Sequence, residues 1–328
     1  MTDLKTLFTR RSLLKLAGAA TAVAALAGVS IADVDAALPE YEAASGISGD
    51  LRSVGSDTLS NLMTKWGEKF TSTYPQANVE AESKGSSTAP PALIGGTAQL
   101  GPMSRAMKAT EIDEFKSAYN YDPTLVRAGI DAIAVFVNKD NPVEQLTLEQ
   151  LQQIFSVNGP ANVTWGDVGV TDERYADQPI SVYGRNSASG TYGFFKEAAL
   201  GDADFKDSVK EQPGSSAVVS GVGSDNFGVG YSGIGYAVPN VKAVPIVGSD
   251  GEAYDPMDPD AVYNEDYPIA RFLYIYVNKA PNQDLEPIVG EFLKLVLSKQ
   301  GQEVVDSEGF YPLSAFIAEQ EIRKLGLK

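Results

Sequence analysis

Apolar positions in the first part of the chain keep two rhythms in turn. Leu59, Leu62, Met63, Trp66 and Phe70 recur at three- and four-residue spacing, the stripe of an amphipathic helix that stops before Pro75. Shorter runs on either side, at 51–55 and 78–82, read as strands. Gly85-Ser86-Ser87-Thr88 then leads into a helix with Pro90 and Pro91 in its first turn, where proline is tolerated. A short strand at 99–101 and the turn Met103-Ser104-Arg105 precede a third helix, at about 110–119. A strand–loop–helix unit used three times predicts an α/β fold with a parallel sheet and crossover helices.

Further on, two segments look alike: Ala132-Ile133-Ala134-Val135-Phe136-Val137-Asn138-Lys139 and Arg271-Phe272-Leu273-Tyr274-Ile275-Tyr276-Val277-Asn278-Lys279. Each is β-rich, ends in Val-Asn-Lys and is soon followed by proline. They are expected to be paired connecting strands, one leaving a first lobe and one returning to it. The first lobe would then hold 37–137 plus 270–328, and the second 138–269. Within the second, Thr147 and Gln150 form a capping box, 180–183 reads as a strand, 191–200 as a helix and 228–236 as a strand. Gly228-x-Gly230-x-x-Gly233 matches a dinucleotide fingerprint but opens a β-rich run, so it carries no such function. The acidic stretch at 249–266 has no EF-hand spacing and reads as a solvated loop. Helices at 285–298 and 313–325 would pack back on the first lobe.

The N-terminus changes the setting. Thr9-Arg10-Arg11-Ser12-Leu13-Leu14-Lys15 is a twin-arginine pattern ahead of a short Ala- and Gly-rich apolar run. That is a Tat-type export leader, 1–36, with an expected cut after Ala36, and not a spanning helix. A periplasmic, or otherwise exported, protein is expected. Composition then narrows the chemistry. With 26 Lys and Arg against 43 Asp and Glu, the net charge is −17, which repels nucleic acid. The chain has no cysteine and no histidine, so disulfides, thiolate nucleophiles, imidazole metal sites and a Ser-His-Asp triad are all excluded. Neither a metal nor a cofactor is expected.

Four loops share one remaining chemistry: Gly55-Ser56-Asp57-Thr58, Gly85-Ser86-Ser87-Thr88, Met103-Ser104-Arg105, and Arg185-Asn186-Ser187-Ala188-Ser189-Gly190-Thr191. Each joins a strand to a helix, at the carboxyl end where open α/β sheets bind ligands. The last puts a guanidinium, hydroxyls and free backbone N–H groups at a helix N-terminus, a combination that favours an oxyanion. Taken singly, Ser189 would merely cap the helix and Gly190 merely turn the chain. A histidine-free serine hydrolase using Ser189 or Ser104 is the weaker alternative.

On these motifs the chain, from about residue 51 onward, resembles the periplasmic phosphate-binding proteins of ABC transporters. Arg185-x-x-x-Ser189-Gly190-Thr191 is the most specific of them. The resemblance implies a two-lobed type II binding protein, each lobe a sheet flanked by helices, joined by two hinge strands. It implies no enzyme activity, capture of inorganic phosphate and delivery to an inner-membrane permease. A monomer is expected. The implied ligand set is Asp57, Thr58, Ser86, Ser104, Arg105, Arg185, Ser189, Gly190 and Thr191. The chain departs from some members in having Ser104-Arg105 where they have an aspartate that accepts the proton of hydrogen phosphate. This puts selectivity over sulfate, and with it molybdate, in question. Asp57 either takes over as that acceptor or caps the following helix; Arg105 either reaches the anion or pairs with an acidic neighbour.

Overall fold

A computed structural model describes residues 32–327. The twin-arginine motif and most of the leader lie outside the described residues. β1 (Gly49–Gly55) and β2 (Ala77–Ser83) pair in parallel, with α1 (Ser60–Thr73) between them. The α1 stripe buries Leu62, Met63, Trp66 and Phe70 as the spacing predicts, and Tyr74, restricted by Pro75, leaves the helical region. α2 (Ala89–Ile94) carries its prolines in the first turn. β3 (Gly101–Met103) begins where the predicted strand ends. α3 (Ala109–Tyr119) stops at Asn120, whose φ of 64° supplies a left-handed cap.

β4 (Thr124–Asn138) then runs 15 residues, nearly all buried from Val126 on. After it come β5 (Leu146–Thr147), α4 (Leu148–Phe155), β6 (Ser181–Arg185), α5 (Gly190–Leu200), β7 (Lys210–Gln212), α6 (Ser215–Gly223) and β8 (Gly228–Gly233). β9 (Val241–Val244), β10 (Ile246–Val247), β11 (Ala253–Tyr254) and α7 (Pro259–Tyr263) follow. β12 (Ala270–Val277) is the return strand, and α8 (Pro287–Leu297), α9 (Lys299–Ser307) and α10 (Ala315–Leu325) complete the described elements.

The strands order as β3-β12-β4-β8-β6-β7, with β9 also on β4. β12 lies antiparallel to β4 over residues 124–132. From Ile133 onward β4 changes partners and pairs with β8 and β9. The sheet is therefore mixed, unlike the all-parallel expectation. Parallel pairing holds for β1–β2, β6–β7 and β6–β8, where helices make the crossovers. It fails at β3, β4 and β12, because the outgoing and returning strands must run in opposite senses.

Three local features decide earlier questions. β8 is a fully buried strand, and a Cβ on Gly230 would lie 2.8 Å from Val218 and 2.9 Å from Val222 of α6. Gly230 of that fingerprint thus serves helix-on-strand packing, while a Cβ on Gly233 would lie 2.9 Å from the Asp131 carboxylate. In the acidic stretch, Asp255 and Asp258 accept backbone N–H bonds from Met257 and Asp260, and Asp258 caps α7. That stretch is built of turns and a short helix instead of being featureless. Finally, Asp35 Oδ2 accepts the Ala315 N–H at 2.9 Å, and Leu38 is buried with Ala315 and Ala318. The expected cut after Ala36 thus falls in a stretch bound to the start of α10.

Candidate functional site

All four predicted loops meet at one place. Ser56 accepts the Thr58 N–H and so caps the turn that opens α1, which is the role left open for Asp57. Its hydroxyl also donates to Ser104 Oγ at 2.9 Å, and Ser86 Oγ accepts the Ser104 N–H at 3.0 Å. Opposite them, Thr58 Oγ1 lies 2.7 Å from Thr191 Oγ1, and the Ser87 N–H donates to the Ala188 carbonyl. Thr58, Ser86, Ser104, Ser189 and Thr191 are all buried.

Glycine is required at two of the contacts. A Cβ on Gly190 would sit 2.2 Å from Ser86 Oγ and 2.6 Å from Ser104 Oγ. At Gly85, φ is +117° and a Cβ would lie 2.5 Å from the Ala188 oxygen. Ser189 Oγ accepts the N–H groups of Thr191 and Tyr192 and so does cap α5. The cap sets the α5 N-terminus against the other loops, an arrangement that can also receive an anion.

Arg185 ends β6 with its side chain 1% exposed. Its Nη1 donates to Ser215 Oγ at 2.7 Å and lies 3.3 Å from Asp57 Oδ2. Asp57 Oδ2 in turn accepts the Ser215 N–H at 2.8 Å, at the start of α6. Burial pulls the Arg185 pKa down while the Asp57 carboxylate opposes the shift; an arginine starts so high that it stays charged. Tyr236 donates to the Asp57 and Thr58 carbonyls, and burial, then the Asp57 charge, pushes its pKa far up. It therefore remains a donor that holds the first loop in place.

Arg105 takes the second of its two expected roles. Both terminal nitrogens bond Glu111, each at 2.7 Å, and Nη2 also reaches Ser87 Oγ. This bidentate pair holds the guanidinium beside the second loop. It faces a cavity of about 580 Å³ lined also by Ser189, Tyr192, Arg271 and Tyr274. Burial raises the Glu111 pKa, yet bonds from Arg105 and the Lys108 N–H outweigh that and hold it below its ordinary value.

Sequence reasoning missed Ser215, Tyr236, Asp131 and Arg271. Ser215 was findable: Gly214-Ser215-Ser216 followed by Val218, Val219 and Val222 is a helix start with an apolar stripe. Asp131 and Arg271 form a buried ion pair at 2.7 Å between the two long strands, and Arg271 also donates to Thr191 Oγ1 at 2.9 Å. The only local signal was a charge inside an apolar strand.

The family profile described as the PBP superfamily domain matches residues 41–300. Phosphate-binding protein PstS of Pseudomonas aeruginosa is 51% identical over 320 residues, covering 95% of this chain and 99% of that protein. The chain belongs to the PstS family. A PstS of Staphylococcus aureus is 30% identical, covering 81% of this chain and 79% of its own length. Among solved structures, a Clostridium perfringens protein, described as a phosphate ABC transporter substrate-binding protein and crystallised with phosphate, is 25% identical. It superposes with a TM-score of 0.68, covering 81% of this chain and all of that one. A Vibrio cholerae phosphate transport receptor, 23% identical with a TM-score of 0.62, shares the fold over 80% of this chain and all of its own. The PstS family fold is the two-lobed type II binding-protein arrangement, and this chain has it.

Proposed function

We propose that this chain captures inorganic phosphate between its lobes and delivers it to the permease of an ABC transporter. The observation that carries this reading is the convergence of four separate loops on one buried cluster of hydroxyls and one buried arginine. Such a cluster strips water from a small anion and replaces it with fixed donors. We assign phosphate contact to Asp57, Thr58, Ser86, Ser104, Arg185, Ser189, Gly190 and Thr191. Arg105, paired with Glu111 and bonded to Ser87 Oγ, braces the second and third loops. The chain is a transport binding protein and not an enzyme, as its relatives are. The hydrogen bonds of Ser189 and Ser104 go to backbone amides and other serines, which supplies neither with a general base.

Asp57 supplies the acceptor that separates protonated phosphate from sulfate. Its carboxylate lies 3.3 Å from Arg185 Nη1 and belongs to the first loop, not to the third, where other members carry their aspartate. The lobes divide as 37–137 plus 270–328 and 138–269, a reading supported by the change of β4 partner after Ala132 and by β12 starting at Ala270. The twin-arginine leader directs export, and the mature protein works outside the cytoplasm as a monomer. N-terminal sequencing of the exported form locates the cut.

Isothermal titration of phosphate-stripped protein against phosphate, sulfate and molybdate tests the central claim. Saturable one-to-one binding of phosphate, far tighter than of the other two, is expected. Absence of phosphate binding, or tighter sulfate or molybdate binding, refutes it.

A further inference from the structure

Arg271 and Asp131 stand directly opposite one another on β12 and β4, the two strands that run between the lobes. Their side chains are 1% and 0% exposed. Arg271 Nε and Nη2 both donate to Asp131 Oδ2, and Asp131 Oδ1 accepts the Ile234 N–H just past β8. A buried ion pair contributes little stability by itself and is best explained by what it holds in place. Here the same Nη2 also donates to Thr191 Oγ1 at 2.9 Å.

A guanidinium has no acceptor, so the direction of that bond is fixed: Thr191 receives it. One lone pair of the threonine oxygen is then occupied, and its single proton must point elsewhere. Thr58 Oγ1 is a direct hydrogen-bond partner at 2.7 Å, and either oxygen of that pair can donate; with Thr58 donating, both lone pairs of Thr191 are filled and its proton is left for the anion. We infer that Arg271, held by Asp131, is a positioning residue that fixes the Thr191 hydroxyl as a donor aimed into the anion site. Without Arg271 one of those lone pairs is unfilled, and the hydroxyl, held by Thr58 alone, can turn it toward the anion, which is repulsive. Arg271 belongs to the return strand and Thr191 to α5, so the device ties a ligand donor to the hinge. The inference rests on the anion-capture reading above.

A double-mutant cycle on phosphate affinity tests it, using Arg271→Lys, Thr191→Val and the double variant. Lysine keeps the charge but lacks the fork that reaches Asp131 and Thr191 together. Each single variant is expected to weaken binding about tenfold, a hydrogen bond's worth, and the double variant no more than the weaker single. Thr191→Ser, which keeps the hydroxyl, should weaken binding less than Thr191→Val does. Effects that multiply in the double variant overturn the inference, because a merely structural Arg271 would act independently of the Thr191 hydroxyl. Should the Arg271 variants fail to fold, neutron diffraction of the parent complex decides. A Thr191 deuteron directed at the anion supports the inference, and one directed anywhere else overturns it. If the parent binds no phosphate, the functional reading fails separately, and the same cycle is run with whichever of sulfate or molybdate binds.

Discussion

Truncating Arg185 to alanine removes a cation whose nitrogen lies 3.3 Å from the first loop's carboxylate and whose side chain is 1% exposed. At an effective dielectric near 20, two unit charges about 4 Å apart interact by roughly 4 kcal/mol. A bound dianion carries more charge than one unit, but part of the loss is recovered when water enters the cavity left behind. A net cost of about 3–5 kcal/mol follows, matching the penalty seen when one partner of a buried charge pair is removed. Phosphate affinity should therefore fall by roughly two to four orders of magnitude. Titration calorimetry, with circular dichroism to confirm folding, reads this directly. Asp57 complicates the number, since without Arg185 its carboxylate faces the anion with only the Ser215 N–H beside it. Removing Asp57 as well should restore part of the loss. A sub-tenfold change in Arg185→Ala would mean that the guanidinium is not at the ligand, and the placement of the site would be wrong.

Asp57→Asn should leave phosphate binding measurable but narrow the phosphate-to-sulfate ratio, because an amide also donates to an unprotonated anion; an unchanged ratio removes Asp57 as the selectivity group. Gly190→Ala places a Cβ 2.2 Å from Ser86 Oγ, so closure costs about 1–3 kcal/mol and affinity drops by roughly 5- to 160-fold. Small-angle scattering should show less contraction on adding phosphate, and parent-like affinity and contraction would contradict the close approach. The pKa of Glu111 lies below its ordinary 4.5 in the fold, so the unfolded chain binds more protons between the two values. The stability it contributes is complete above about pH 4.5 and is lost as pH falls through the folded value. Glu111→Gln should accordingly flatten the acid limb of a melting-temperature profile, and an identical acid limb would show that the Arg105 pair contributes nothing.

Most of the site was legible because its parts are local. A strand, a Ser- and Gly-rich turn and a helix start occupy consecutive residues, and the donors they expose follow from helix geometry. The α1 stripe, the Thr147 capping box and the β4 and β12 segments were readable for the same reason. What escaped depends on register. Asp131 and Arg271 become partners only once β4 and β12 align antiparallel with a particular offset, and nothing in either segment alone states that offset. Arg105 and Glu111 are six apart across a turn, a spacing with no helical rule behind it. Asp57 was readable as a cap or an acceptor, but not as a group reaching the start of α6, which had not been recognised as a helix.

The acidic character of the chain and an anion site become compatible once the buried charges are paired off. Each buried arginine near the site has a carboxylate within salt-bridge distance: Asp57 for Arg185, Asp131 for Arg271 and Glu111 for Arg105. The site before capture is therefore close to neutral, and a surface of net charge −17 offers no long-range attraction to phosphate. Screening confines that repulsion to about 8–10 Å at physiological ionic strength. In the proposed site, capture then depends on hydroxyls and amides already held in one cluster, which cost little reorganisation when the anion arrives. A basic patch would gain speed but would also attract every other polyanion. Paired arginines behind neutral donors give that up in return for discrimination at contact, which is what a binding protein that hands over one small anion requires.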